Sequence, residues 1–260
     1  MFGFLASRRW ALRILAGLVL VTAFVRLGLW QLDRNDQREA RNAVVEANAH
    51  REPVPVEDVL TAGIPVPADQ LWTPVEAAGR YDVDHQMVVR LRPLEGQPGV
   101  HVLTPLVTDT GTAVLVDRGF VAQGGSATAV PAVPEPPAGD VEVVGRTRLS
   151  EEGRGTGGDP AEGVIRYIDV DEIAQALPYP LFGAWLELVS EVPAPAEAPV
   201  SPPAPSTDAG PHLSYAVQWF LFAFIGIGGF VFLVRAESRI LREPRQDSRD
   251  HERSGVGSGT

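Results

Sequence analysis

The sequence predicts a two-span membrane protein: two transmembrane helices flanking an extracytoplasmic α+β domain with an antiparallel β-rich sheet or open barrel. Three observations predict it: two apolar stretches near the ends of the 260-residue chain, an arginine asymmetry around the second, and short β-like runs separated by turn residues between them.

Residues 1–9 form a short N-terminus, and the first apolar stretch is residues 10–30. Arg13 and Arg26 interrupt it, so its uncharged part, residues 14–25, is too short to span alone. The whole interval rises about 30 Å, the thickness of a hydrocarbon core, and both arginines lie near enough to its ends to snorkel. Trp10 and Trp30 stand at the two ends, where interfacial aromatics belong. No A-x-A-like site follows, which favours an uncleaved anchor over a cleaved signal peptide. The second stretch, residues 213–234, carries no charge and rises about 33 Å. Arg235, Arg239, Arg242 and Arg245 follow it, whereas residues 167–212 contain no arginine. By the positive-inside rule the C-terminus is cytoplasmic, and two spans return the N-terminus to the same side. The expectation is a multi-pass protein of the cell membrane, with both termini cytoplasmic and residues 235–260 as a polar cytoplasmic tail.

The interval splits into a domain, residues 31–190, and a proline-rich linker, residues 191–212. Residues 31–211 hold 12 Arg against 28 Asp and Glu, a net charge of −16. Residues 31–50 lack Pro and Gly and continue the first helix out of the membrane, with Arg34, Arg38 and Arg41 on one solvated face. After Pro53, Pro55, Pro65 and Pro67 the pattern changes to β-like runs at residues 75–81, 86–91, 100–107, 113–121 and 141–149. Turn signals at Gly96-Gln-Pro-Gly99 and Asp109-Thr-Gly111 favour antiparallel hairpins over βαβ crossovers. A run at 164–168, a short helix at 169–176 and a last run at 185–189 complete the domain. Residues 151–163, with five glycines, are expected to form a mobile loop, and residues 191–211, with seven prolines, an extended strap.

Composition excludes several chemistries. The net charge of −11 argues against nucleic-acid binding. Cysteine is absent and methionine occurs only as Met1 and Met87, so thiolate metal sites are excluded and soft ligands are scarce. Neither G-x-S-x-G nor H-E-x-x-H occurs, and a chain without lysine cannot build a Walker loop. Gly153-Arg-Gly155-Thr-Gly-Gly158 fits a dinucleotide fingerprint in letters only, because Asp159-Pro160 follows and no long helix opens there. Of five histidines none forms a pair at metal spacing, and His85 and His101 read as ordinary surface or core residues.

His212 differs in position. It immediately precedes the second span, and Tyr215, Trp219 and Phe222 follow at helical spacing, so one face carries an imidazole above three aromatics. That face is on physical grounds more commonly an interfacial aromatic belt, but it also suits a flat lipophilic ring with the imidazole as axial iron ligand. Trp30-Gln31 and Gln218-Trp219 place an amide beside an indole on each span. The paired amides could bridge the helices, with Ala223, Gly226 and Gly229 allowing close approach.

Leu27-Gly28-Leu-Trp30-Gln31-Leu-Asp-Arg34 resembles the sequence that closes the first membrane helix in the Surfeit locus protein one family of cytochrome c oxidase assembly factors. His212-Leu-Ser-Tyr215-Ala216-Val-Gln218-Trp219-Phe220 is similar to that family's second signature. Between them Gly79-Arg-Tyr81, Pro98-Gly99 with Thr104-Pro105-Leu106, and Val116-Asp117-Arg118-Gly119-Phe120 follow in the family's order. The chain departs from the family at Phe120 and Ala122, where Trp and Pro are usual, and at Gly210-Pro211 before His212. The resemblance implies a handling protein and not a catalyst: an assembly factor for a haem-copper oxidase of aa3 type that binds haem a transiently and presents it to the catalytic subunit. It implies His212 as the iron ligand; the face beneath would then put the ring against Tyr215 and Trp219, with Gln218, Trp30 and Gln31 as further cofactor-binding candidates, and Arg34 is the nearest candidate for the propionates. It also implies oxidase subunit I and haem a synthase as partners beside membrane lipid. The alternative is a scaffold that holds oxidase subunits through its extracytoplasmic domain and binds no haem.

Overall fold

The computed structural model describes residues 7–124, 131–151, 155–203, 205–208 and 210–240. The N-terminal residues 1–6, the tail expected beyond Ile240 and part of the glycine-rich loop lie outside them. The chain divides into two units, one made of Met1–Glu39 with Ala209–Thr260 and one of Ala40–Asp208.

The first unit is a helix pair. α1 runs unbroken over Arg8–Asn48 and α4 over His212–Ile240, and both are long and apolar enough to cross a membrane. The expected continuation of the first span into residues 31–50 is therefore one helix with it. Leu12, Leu18, Leu221, Phe224 and Phe232 point outward, so neither helix is the buried core helix of a soluble fold. Where the two helices meet, small residues receive large ones, so the helices can approach closely. Gly28 lies under the ring of Phe220 and Gly17 under that of Phe230, while Ala216 and Ala223 are buried. Gly226 faces Val21, but Gly229 has nothing near it, so it is not part of the seam expected from the sequence.

The second unit is a mixed β-domain. Its elements are β1 (Val54–Pro55), α2 (Val56–Val59), β2 (Pro74–Tyr81), β3 (Met87–Val89), β4 (Gly99–Thr108), β5 (Ala113–Ala122), β6 (Asp140–Arg148), β7 (Val164–Ile165), α3 (Val170–Gln175) and β8 (Leu181–Val192). The runs expected from the sequence are all strands, with 164–168 shortened to two residues and 185–189 extended to twelve. The short helix is α3, capped by the Asp169 carboxylate, which accepts from the Glu172 amide at 3.3 Å.

The sheet corrects the antiparallel, open expectation. β2 pairs with β6, β6 with β8, β8 with β5, β5 with β4, and β4 returns to β2 through Gly79↔Thr108, Arg80↔Val107 and Tyr81↔Leu106. The ring is closed. A closed ring of five strands cannot alternate direction all the way round, so one pair must be parallel; here it is β5 with β8, in register at Leu115↔Trp185. β3 adds to β4 antiparallel, while the short β1 and β7 add in parallel to β2 and β3.

Two cores follow from this. Val75, Leu106, Val114, Val116, Val143 and Leu186 fill one, together with Val56 and Leu60. Met87, Leu103, Leu115, Ile173 and Trp185 form the other, beneath α3. β5 feeds both, Val114 and Val116 on one face and Ala113 and Leu115 on the other, so its sequence is a continuous apolar run and not an alternation. Of the glycine-rich loop, Thr156 is fully buried and its amide and hydroxyl both bond the Glu172 carboxylate. The proline-rich segment pairs with β5 beyond the end of β8: Val200 and Phe120 exchange amide-to-carbonyl bonds of 2.8 Å. Gly119 stands at φ 124°, and a Cβ there would meet the Val200 carbonyl oxygen at 2.6 Å.

Candidate functional site

The helix pair brings His212 and Gln31 together. Pro211 begins the first turn of α4, its carbonyl accepting from the Tyr215 amide at 3.1 Å. His212 is the first residue of that helix, and its Nδ1 lies 2.8 Å from Gln31 Oε1. An amide oxygen only accepts, so Nδ1 donates in this bond, and in the neutral imidazole Nε2 then holds the lone pair. An imidazole held through its Nδ1–H by a carbonyl is the arrangement that orients a histidine for ligation through Nε2. Both side chains are half-buried.

Beneath this pair lies an aromatic cluster. Trp219 stacks on Phe24 at 5.8 Å and 29°, and Phe222 stands edge-on to Trp219 at 5.9 Å. The sequence reading missed Phe24, which lies seven residues before Gln31 and so on its face of α1. Arg38, seven residues after Gln31 and expected only on a solvated face, has its Nη1 against Gly210. Arg34 instead donates to Gln37 Oε1 at 3.0 Å and lies over its neighbour Trp30 at 5.6 Å. Gln218 is exposed, so the amide bridge expected between Gln31 and Gln218 is replaced by Gln31 with His212. Tyr215 and Trp30 are on the helix pair but face outward, at 47% and 49% exposure. Among the described residues no group of three or more His, Asp or Glu is placed to hold a metal ion.

In the β-domain the motif residues build the barrel. Gly79 lies where β2 crosses β4. The Tyr81 hydroxyl donates to Glu191 at 2.8 Å, and the Tyr81 ring lies 5.5 Å from the Arg118 guanidinium. Arg118, 1% exposed, donates from Nη1 to the Pro134 carbonyl at 3.0 Å, while its Nε and Nη2 have no hydrogen-bond partner among the described residues. Burial lowers the Arg118 pKa, with Glu191 and Tyr81 opposing, and burial and Glu191 raise that of Tyr81. Asp117 accepts from His101 Nδ1 at 2.7 Å and from the Gly119 amide at 3.0 Å. His85 is likewise satisfied, 2.8 Å from Asp82, which also accepts from the Tyr179 hydroxyl at 2.8 Å. Both imidazoles are thus held through Nδ1, as His212 is, but they stand in the β-domain and not on the helix pair.

Burial pushes the Asp82 carboxyl upward, but the bonds from Tyr179 and His85 together outweigh it and hold its pKa below the ordinary value. A depressed acid contributes stability above its unfolded pKa, about 3.9, and loses it as pH falls through the folded value. Asp82→Asn should therefore destabilise the fold by about 1 kcal/mol at neutral pH and by progressively less below about pH 4. Thermal unfolding at pH 7 and pH 3 measures this; an equal loss at both would mean the carboxylate's charge is irrelevant.

Comparison with known proteins places the chain in a family. The chain matches the SURF1 family over residues 18–224, which include the whole barrel, most of α1 from Leu18 onward and the first turns of α4. It is 33% identical over 230 residues to uncharacterized SURF1-like proteins of Mycobacterium bovis and Mycobacterium tuberculosis, covering 86% of this chain and 83% of theirs. It is 27% identical over 229 residues to Surfeit locus protein 1 of Homo sapiens, covering 78% of this chain and 71% of that one. With two apolar helices bracketing a β-domain and a match across most of its length, the chain belongs to the SURF1 family, known in general terms for oxidase assembly.

Proposed function

We propose that this protein assists assembly of a haem-copper cytochrome c oxidase of aa3 type by holding haem a on its helix pair for delivery to subunit I. The observation that carries the reading is the His212–Gln31 hydrogen bond, which leaves Nε2 free beside a packed aromatic cluster. Haem a would supply an iron for that nitrogen and an apolar tail soluble in lipid. His212 would hold the metal, Trp219, Phe24 and Phe222 would support the ring, and Gln31 would fix the imidazole tautomer. The guanidinium nearest this face is Arg38, which suits the propionates better than Arg34. Chemistry of this kind is binding and release, with no bond made or broken in a substrate, and haem a synthase is the partner that would supply the ligand.

The test is the absorbance spectrum of detergent-purified protein from cells that make haem a. A haem band copurifying at near-stoichiometric amount supports the reading; a haem-free protein that still restores oxidase assembly would establish the scaffold instead.

We further propose that the helices cross the cell membrane with both termini cytoplasmic, on the strength of Arg235 and Arg239 after the apolar part of α4. Fusions after Thr110 should be active only with an exported reporter, and fusions after Arg239 only with a cytoplasmic one. The reverse pattern at either position would overturn this topology.

A further inference from the structure

We infer that the second unit, the β-domain with the last turns of α1 from Ala40 onward, carries a binding site separate from the His212–Gln31 pair, for a small organic carboxylate with an apolar body. A cavity of about 240 Å³ is walled by Trp72, Trp185, Arg148 and Arg41, with Leu71, Leu149 and the acidic Glu151 completing it. At about 30 Å³ per water it has the room of roughly eight waters, enough for a compact aryl or alkyl acid.

The walls are held in place before any ligand arrives. Trp72 stands at φ 64°, a conformation that a bulky residue adopts only when its surroundings enforce it. The enforcement comes from two buried side chains. Asn48 Nδ2 donates to the Asp69 carbonyl at 2.6 Å and the Leu71 carbonyl at 2.8 Å. Thr147 Oγ1 donates to the Gln70 carbonyl at 2.6 Å and accepts from the Thr73 amide at 3.1 Å, and the Trp72 amide bonds the Thr147 carbonyl at 3.0 Å. Strain held this way clusters at ligand sites. Across the cavity the Trp185 indole N–H is spent on the Leu149 carbonyl at 2.8 Å, so its ring serves as an apolar wall. The Arg148 guanidinium lies between the two indoles, 4.1 Å from Trp72 and 5.2 Å from Trp185.

The charge balance selects an anion. Arg148 Nη1 is bound to Glu187 at 2.6 Å, and Glu151 is taken by Arg92 Nη2 at 2.5 and 2.7 Å. Among the described residues nothing pairs with Arg41, which lies on the exposed face of α1 at the rim. One guanidinium is therefore uncompensated beside a second that is stacked and partly paired, in a part of the chain where carboxylates outnumber arginines by more than two to one. Guanidinium forks match carboxylates in two-point geometry, and the indole and leucine walls favour an apolar stem over a bare, strongly hydrated ion.

The experiment is isothermal titration of the full-length protein in detergent with sodium phenylacetate. Saturable binding with a Kd in the millimolar range or tighter is expected, with benzyl alcohol and inorganic phosphate binding at least tenfold more weakly. Arg41→Gln should weaken phenylacetate at least tenfold with an unchanged melting curve, since Arg41 is exposed, and Arg41→Lys should recover part of the loss. The inference is overturned by no saturable heat, by benzyl alcohol or phosphate matching phenylacetate, or by Arg41→Gln binding as the wild type does. Because the ligand comparison on the wild-type chain needs no variant, the inference stays testable even if a variant folds poorly.

Discussion

His212→Ala should abolish haem a retention while the protein remains folded and inserted. The chain has no cysteine, and Met87 is buried in the β-domain core, so no other soft ligand replaces the lost imidazole. The structural cost is small: a half-buried side chain at a helix start loses one hydrogen bond to Gln31, about 1 kcal/mol. Gln31→Leu separates ligation from tautomer control. It keeps the imidazole but removes the acceptor at Nδ1, and should weaken haem binding about 10- to 100-fold without abolishing it. His85→Ala should leave the spectrum unchanged, since His85 stands in the β-domain and not on the aromatic face of the helix pair. If His212→Ala kept a wild-type spectrum and full oxidase assembly, the ligand role would be wrong and the scaffold reading would replace it.

The largest effect on stability is expected at Gly79. A Cβ there would collide with the carbonyl oxygen and carbon of Val107, backbone atoms of the strand that closes the ring, and no side chain is available to move aside. Gly79→Ala must therefore push β2 and β4 apart at the seam, at a cost of about 3 kcal/mol or more. That is a large share of the 5–15 kcal/mol by which a domain is usually stable. Gly124→Ala, at a position with open space, should change the melting temperature little. Thermal unfolding followed by near-ultraviolet circular dichroism compares the two, and equal melting temperatures would show that the seam tolerates separation.

Which features could be read from the chain depends on how local their causes are. The two apolar helices and the continuation to Asn48 follow from composition within each segment, and α3 from its Asp169 cap, so all were legible. Strand positions were legible within a few residues because turn chemistry brackets them. The closure was not, because it depends on Gly79 meeting Val107 and on the parity of a five-membered ring, neither of which leaves a mark in any one segment. The parallel pairing of β5 with β8 was hidden for a related reason: residues on both faces of β5 are buried, so its sequence does not say which neighbour lies on which side. At the helix pair His212 and Trp219 stood out by helical spacing, whereas Phe24 and Arg38 required extending the face of Gln31 by seven residues in each direction. Arg34 was favoured only by nearness in sequence to Trp30 and Gln31, and its side chain turns to Gln37.

The position of β8 in the ring has a consequence for the order of events during synthesis. Without β8, the strands β6, β2, β4 and β5 form an open antiparallel sheet whose two edges are β6 and β5, and β8 is the stave that pairs with both. It is also the last of these strands to leave the ribosome. Leu115 waits for Trp185, seventy residues later, before its edge is covered. A chain arrested before Leu181 is therefore not a smaller barrel but a sheet with two unpaired edges, the form in which β-proteins associate wrongly. Contacts so distant in sequence make the closing step slow. Because α4 follows β8 by only twenty residues, the second helix is made almost as soon as the ring can close.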